Sequence, residues 1–413
     1  MSVAEFLSAL VIPFKMPIKT SERLGRVKSS QTQEVTLAAQ RLRSQGVKVI
    51  DLGAGEPDFQ TPAHIGLAGI QAIQDGFTKY TANAGILELK AAVGQRYLAD
   101  YDVRYGVDET MICAGGKQGL FNVAMALFDP GDEVITHAPV WPTIPEQIKL
   151  AGADPVFVRT YADEQFQVVA DRVLDAVSPR TRAIVLNSPS NPTGALIAER
   201  ELDIIVQETE KSGIWLILDL CYEQLLHDDS VSHKLPSVIQ KARDRAVLIG
   251  SASKTYAMTG WRCGWLLGPQ ELVTACSTIQ SHATSNVSSI TQLAVLAALA
   301  GTDSCVEQMR MEYRDRRDRF LQLLSEEPRI LVNPPAGAFY LFPDISAFLG
   351  ADHMRTSVDF TKRLLEDSHV AVTPGEAFDA PGYVRISYAA SMEDLTIAAK
   401  RICEFARSCL STA

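Results

Sequence analysis

Four short apolar runs recur through the middle of the chain: EVIT at 133–136, AIVLN at 183–187, IWLILD at 214–219 and AVLIG at 246–250. Each is rich in β-branched residues and nearly continuous rather than alternating with polar positions. From Gly85 onward such runs are separated by amphipathic helical patterns, the signature of strands buried on both faces of a mostly parallel sheet. Ligands gather beyond the carboxyl ends of such strands. The stretches to inspect are therefore 187–194, 219–222 and 251–262. Earlier, TLAAQRLRSQ at 36–45 has helical spacing and ends at Gly46, a C-cap signal. VIDLGAGEPDFQTP then crowds Gly53, Gly55, Pro57 and Pro62 behind a short strand and predicts a rigid loop. Over the last hundred residues the pattern predicts helix (308–324), strand (GAFYLF from 337), helix (358–367) and strand (YVRISY from 383), a second, smaller α/β domain.

Length and charge narrow the class. The 413 residues exceed what one simple core holds and suit two packed domains. Lys and Arg number 39 against 49 Asp and Glu, a formal charge of -10, which repels nucleic acid and anionic lipid and favours a small-molecule partner. The seven cysteines are scattered with no C-x-x-C pair, which excludes a disulfide framework or structural zinc and implies a reducing, cytoplasmic setting. The stretch 4–14 is apolar, but Glu5 and the lack of a basic leader speak against a secretory signal. Apolar runs stay below the roughly 18 residues of a membrane span. The opening segment reads either as a loose tail or as an arm packed on a partner subunit.

The chemistry concentrates after the strands. Lys254, in GSASKTYAMTGWRCGW, follows an apolar strand among small residues. A lysine is ordinarily a solvated surface charge, yet one at a sheet's end has its ammonium form disfavoured, which prepares it for Schiff-base chemistry. Ser251 and Arg262 can offer a hydroxyl and a forked guanidinium to a phosphate beside it. Asp219 ends IWLILD; it reads either as a helix N-cap or as a carboxylate facing a protonated pyridine nitrogen, with Tyr222 in reach of the same ring. SPSNPTG at 188–194 can be a plain turn, but Asn191 stands where its amide can meet a ligand oxygen. The glycine pair in AGGKQGLFN opens a helix, a geometry that presents N–H groups to an anion. The seven histidines form no metal-binding spacing, and neither a G-x-S-x-G elbow nor a P-loop is present. His137 and His227 read as packing or surface residues.

Taken together, GEPDF at 55–59, SNPTGA at 190–195, the Asp219–Tyr222 pair and SxSKxxxxxGxRxG at 251–264 resemble the class I aminotransferases of pyridoxal-phosphate fold type I. The resemblance runs from about Val27 to the C-terminus and is strongest to the bacterial aspartate aminotransferases, the aspartate/prephenate enzymes among them. It implies a cytoplasmic homodimer with a shared site and no metal. The division it implies is an arm at 1–27, a small domain of 28–60 and 310–413, and a large cofactor domain at 61–309. Lys254 matches the lysine joined to pyridoxal phosphate, which also shuttles the α-proton. Asp219 matches the partner of the pyridine nitrogen; Asn191 and Tyr222 match the donors to its phenolic oxygen. Ser251, Arg262 and the backbone of Gly116 and Lys117 match the phosphate cup, and Trp141 the stacked aromatic. Tyr80 matches a tyrosine reaching the neighbouring subunit's phosphate. Arg385 matches the grip on the substrate α-carboxylate, with the Gly55 backbone closing on it. Lys117, Ser30 and Thr32 stand where the subgroup holds a distal carboxylate, which implies an acidic donor such as aspartate and 2-oxoglutarate as acceptor. The same apparatus serves aromatic or prephenate aminotransferases and fold type I lyases. Two departures stand out: DLCY replaces the usual DEIY, and WPTIPE the subgroup's WVSYPE. Cys221 reads as passive, since no cationic residue flanks it in the sequence.

Overall fold

A computed structural model describes residues 19–29, 31–228, 233–350 and 354–411. Its centre is a seven-stranded sheet of β2 (Thr110–Cys113), β3 (Glu133–Ala138), β4 (Asp154–Arg159), β5 (Thr181–Asn187), β6 (Trp215–Asp219), β7 (Ala246–Ser251) and β8 (Gly264–Leu267), following β1 (Ile50–Asp51) in the chain. The strand order is β2-β8-β7-β6-β5-β3-β4. Only β8 runs antiparallel to its neighbours; the remaining pairs are parallel.

The continuous apolar runs are explained by a core on each face. Leu216, Leu218 and Leu248 point into one cluster, with Leu89 and Val93 of the helix Leu87–Tyr101 and Ala294 and Val295 of Ser289–Ala300. Ile217, Val247 and Ile249 point into the other, beneath the helices Gly116–Leu127, Thr143–Ala151 and Gln270–Ala283. Each buried Leu or Ile is worth roughly 1.5–3 kcal/mol of transfer free energy, so a polar substitution on either face would be felt.

Three strands of the central sheet escaped the sequence pattern. β2 and β8 have four residues each, and β8 opens on glycine. β4 carries Pro155 and sits half-exposed at the sheet edge, so its alternation is blurred. The helix predicted at 36–45 spans Gln31–Ser44, one turn longer at its start.

A second core gathers Ile50 and Leu52 with residues from Met309 to Cys409, and takes in Tyr222 and Leu225. It encloses a three-stranded sheet, β11 (Thr373–Pro374), β12 (Val384–Ser387) and β9 (Tyr340–Leu341), and the parallel pair of β1 with β10 (Val370–Ala371). The 21-residue helix Ser304–Leu324 leads from the central sheet into this unit. Its Arg316, nearly buried, holds both oxygens of Asp58 in the GEPDF loop at 2.8 Å. That pair anchors the predicted loop where the two cores meet.

Candidate active site

Beyond the carboxyl ends of β5, β6 and β7 lies a cavity of about 490 Å³. Among the described residues four cationic side chains, Lys117, Lys254, Arg262 and Arg385, line it against one carboxylate, Asp219. An anionic ligand suits that balance.

Each side chain arrives for a local reason. Asp219 is the last residue of β6, its Cα paired with that of Asn187 at the end of β5. The Asn187 amide donates to the Asp219 carbonyl at 3.0 Å and its oxygen accepts from the backbone N–H of Asn191 at 2.8 Å, which fixes the 188–194 turn over the sheet. The carboxylate of Asp219 takes a hydrogen bond from the Cys221 N–H at 3.0 Å. Burial nevertheless pushes its pKa up to about 6. A cationic partner in the cavity would reverse that penalty.

Ser251 ends β7 and caps the short helix Ala252–Thr255, its oxygen accepting from Ser253 N–H at 3.1 Å. Lys254, in that helix, donates its Nζ to the Gly55 carbonyl. Burial depresses its pKa, so the amine sheds its proton more readily than a surface lysine. Arg262 has a left-handed backbone, and its guanidinium donates to the Thr259 and Ala114 carbonyls at 2.8 and 3.2 Å. Its Nη2 lies 2.7 Å from where a Cβ on Gly115 would stand, and Gly115 has φ +81°. Only glycine meets both demands. Gly115 precedes the helix Gly116–Leu127, whose first N–H groups face the same cavity.

From the second core, β12 contributes Arg385, 3% exposed. Its Nη1 donates to Asn191 Oδ1 at 3.0 Å and its Nη2 to the Gly53 carbonyl at 2.6 Å, while its buried Nε has no hydrogen-bond partner among the described residues. Lys117 Nζ stands 4.9 Å from the Trp141 ring centroid; burial, then the nearby Arg262, lowers its pKa.

Eleven predicted residues thus share one cavity: Gly55, Gly116, Lys117, Trp141, Asn191, Asp219, Tyr222, Ser251, Lys254, Arg262 and Arg385. Tyr80 does not join them within one chain; it is 90% exposed. Ser30 and the side chain of Thr32 lie outside the described residues, and Thr36 of the same helix lines the cavity instead. Cys221 is not isolated from cations as its sequence neighbours imply, since Lys254 is near enough to lower its pKa, but burial prevails and pushes the thiol up to about 12. It stays a protonated thiol at neutral pH. His137 and His227 are buried, bonded to the Pro139 carbonyl and to Tyr388, and neither lines the cavity. Tyr340, Asn187 and Thr259 also line it. Tyr340 was hidden in the apolar run GAFYLF, where a tyrosine reads as core.

The cavity also fits pyridoxal phosphate by its donor set: a buried carboxylate without a cationic partner among the described residues, a depressed lysine, and a cup of arginine, serine and helix N–H groups. A sequence profile of the family described as aminotransferase class I and II matches residues 47–402. The chain is 39% identical to the aspartate aminotransferase of Streptomyces avermitilis, covering 93% of this chain and 95% of that one. With the aspartate/prephenate aminotransferase of Cereibacter sphaeroides it shares 41% identity, over 93% and 98%. The solved aspartate aminotransferase of Thermus thermophilus with maleate superposes with a TM-score of 0.89 at 38% identity, over 94% of this chain and 99% of that one.

Proposed function

The chain belongs to the class I and II aminotransferases, and from that premise we propose that it transfers the amino group of an acidic amino acid, aspartate foremost, to 2-oxoglutarate with pyridoxal phosphate as cofactor. The observation that carries the reading is the convergence of Lys254, Asp219, Arg262 and Arg385 on one cavity. When bound, the cofactor supplies an aldehyde that captures amines and a ring that withdraws electrons.

The chain's own groups do the rest. Ser251, Arg262 and the N–H groups of Gly116 and Lys117 would hold the phosphate, Trp141 would pack against the ring, and Asp219 would pair with its protonated nitrogen. Asn191 and Tyr222 donate to the phenolic oxygen. Arg385 forks onto the substrate α-carboxylate, orienting the Cα–H, with the Gly55 backbone closing beside it. Lys254 Nζ, whose protonated form burial disfavours, would hold the cofactor through its amine and would be the base that moves the substrate α-proton. Lys117, with Ser30 and Thr32, receives the distal carboxylate.

The working unit is a homodimer. The helix Ala63–Gln74 leaves Leu67, Ile70 and Ile73 exposed, and Tyr80 follows it. A second copy of the chain covers this face and receives Tyr80 at its phosphate cup. Among the described residues no cysteine is joined in a disulfide, in keeping with the cytoplasm, and no single helix is long and apolar enough to cross a membrane. The likeness to enzymes named aspartate/prephenate aminotransferase favours prephenate as a second substrate. A panel of amino donors and oxo acids decides: aspartate with 2-oxoglutarate is expected to lead, with prephenate accepting from the same donors. Release of pyruvate or ammonia without any oxo acid would point to a lyase. Lys254→Ala is expected to keep the fold and abolish turnover, and normal turnover in that variant would overturn the assignment.

A further inference from the structure

We infer that Tyr340 is a positioning residue of this reaction: its hydroxyl supports the hydroxyl of Tyr222 while its ring carries Arg385, so one side chain ties the carboxylate grip to the group facing the cofactor's phenolic oxygen. The inference rests on the proposed cofactor reading. Tyr340 lies on β9 directly opposite Ser387 of β12, and Arg385 is two residues from Ser387 on the same face. The guanidinium carbon of Arg385 stands 4.4 Å from the Tyr340 ring centroid. The Tyr340 hydroxyl is 2.8 Å from the Tyr222 hydroxyl, both buried.

The direction of that bond follows from proton counting. Each phenol has one proton, and burial keeps both protonated at neutral pH. If Tyr222 commits its proton to an oxygen in the cavity, it must accept from Tyr340. Hydrogen bonds aligned in this way strengthen one another. A phenylalanine would fill the aromatic cluster around Phe339 equally well, so packing does not account for the hydroxyl. Gly55 supplies an independent sign: a Cβ there would stand 2.7 Å from the Tyr340 oxygen. The loop that receives Lys254 is thus shaped around this hydroxyl.

The test compares wild type, Tyr340→Phe and Tyr340→Leu, each loaded with pyridoxal phosphate. The visible absorption of the bound cofactor is titrated with pH, and succinate binding is followed by its effect on the same spectrum. A donor to the phenolic oxygen stabilises its anion, so weakening that donor makes the chromophore keep its proton to higher pH. Tyr340→Phe is expected to raise the midpoint by roughly 0.3 pH units and to leave succinate affinity within about twofold, since the ring under Arg385 remains. Tyr340→Leu is expected to raise the midpoint similarly and to weaken succinate about tenfold. An unmoved midpoint in Tyr340→Phe overturns the inference even if the leucine variant fails to fold, and so does wild-type succinate affinity in a folded Tyr340→Leu. A wild-type protein with no visible band overturns the cofactor reading itself, which separates the two failures.

Discussion

Replacing Glu223 by glutamine tests how the segment bearing Asp219 and Tyr222 is held. Glu223 follows Tyr222 and is 8% exposed, on the side away from the cavity. Its oxygens accept from the hydroxyls of Tyr97 at 3.1 Å and Tyr101 at 3.0 Å, and Tyr97 in turn accepts from the Trp265 indole at 3.2 Å. Burial outweighs those two donors and pushes the pKa from its ordinary 4.5 up to about 7. A carboxyl raised by folding contributes stability that is fully present below its unfolded pKa and is lost as pH rises through the folded one. The window is therefore pH 4.5 to 7. At about 1.4 kcal/mol for each pH unit separating the two titrations, the loss is about 3 kcal/mol. Glutamine keeps the shape and cannot ionise. For a chain of this length about 1 kcal/mol corresponds to about 1 °C in Tm. Thermal unfolding of both proteins at pH 5 and pH 8 should show the glutamine variant gaining about 3 °C on wild type between the two. A difference that stays constant with pH, or that moves towards wild type between pH 5 and pH 8, refutes the reasoning.

Lys117→Ala should raise KM for aspartate about tenfold, the worth of one charge-assisted contact, and leave monocarboxylic donors nearly unchanged in steady-state kinetics; equal losses would remove the specificity claim. In Gly115→Ala, a Cβ set against Arg262 Nη2 on a left-handed backbone should weaken pyridoxal phosphate at least about tenfold, read by titrating the apoenzyme, and unchanged affinity would dissociate Arg262 from the phosphate. Ile70→Glu with Ile73→Glu places charges on the exposed apolar face of Ala63–Gln74; sedimentation should report monomers, whereas intact dimers would move the interface elsewhere.

Much of the fold is written in runs such as IWLILD, because burial on both faces removes polar positions and leaves an unmistakable block. β4 is not, because an edge strand with a proline and one exposed side has no such block. The site is legible where a polar residue ends an apolar run: Asp219 and Ser251 stand out for that reason, and the four motifs give the order. Tyr340 is illegible because its meaning lies in an oxygen met across space, from Tyr222 at 2.8 Å, not in its neighbours in sequence. Tyr80 is legible only through resemblance, since its proposed partner belongs to another copy of the chain.

The joining of β1 to β10 has a consequence for biosynthesis. Gly53 accepts from Thr373 and from Arg385, partners 320 and 332 residues later in the chain. At about 5–20 residues per second, the ribosome needs roughly half a minute to cover that distance. Through that interval β1 and the GEPDF loop after it have been made while β10, the strand partner of β1, has not. The proposed phosphate cup, between Gly115 and Arg262, is complete in sequence well before Arg385, the proposed carboxylate grip. A nascent chain cut short after Arg262 would carry the residues proposed to hold the phosphate and the distal carboxylate, but not Arg385, the proposed grip on the α-carboxylate.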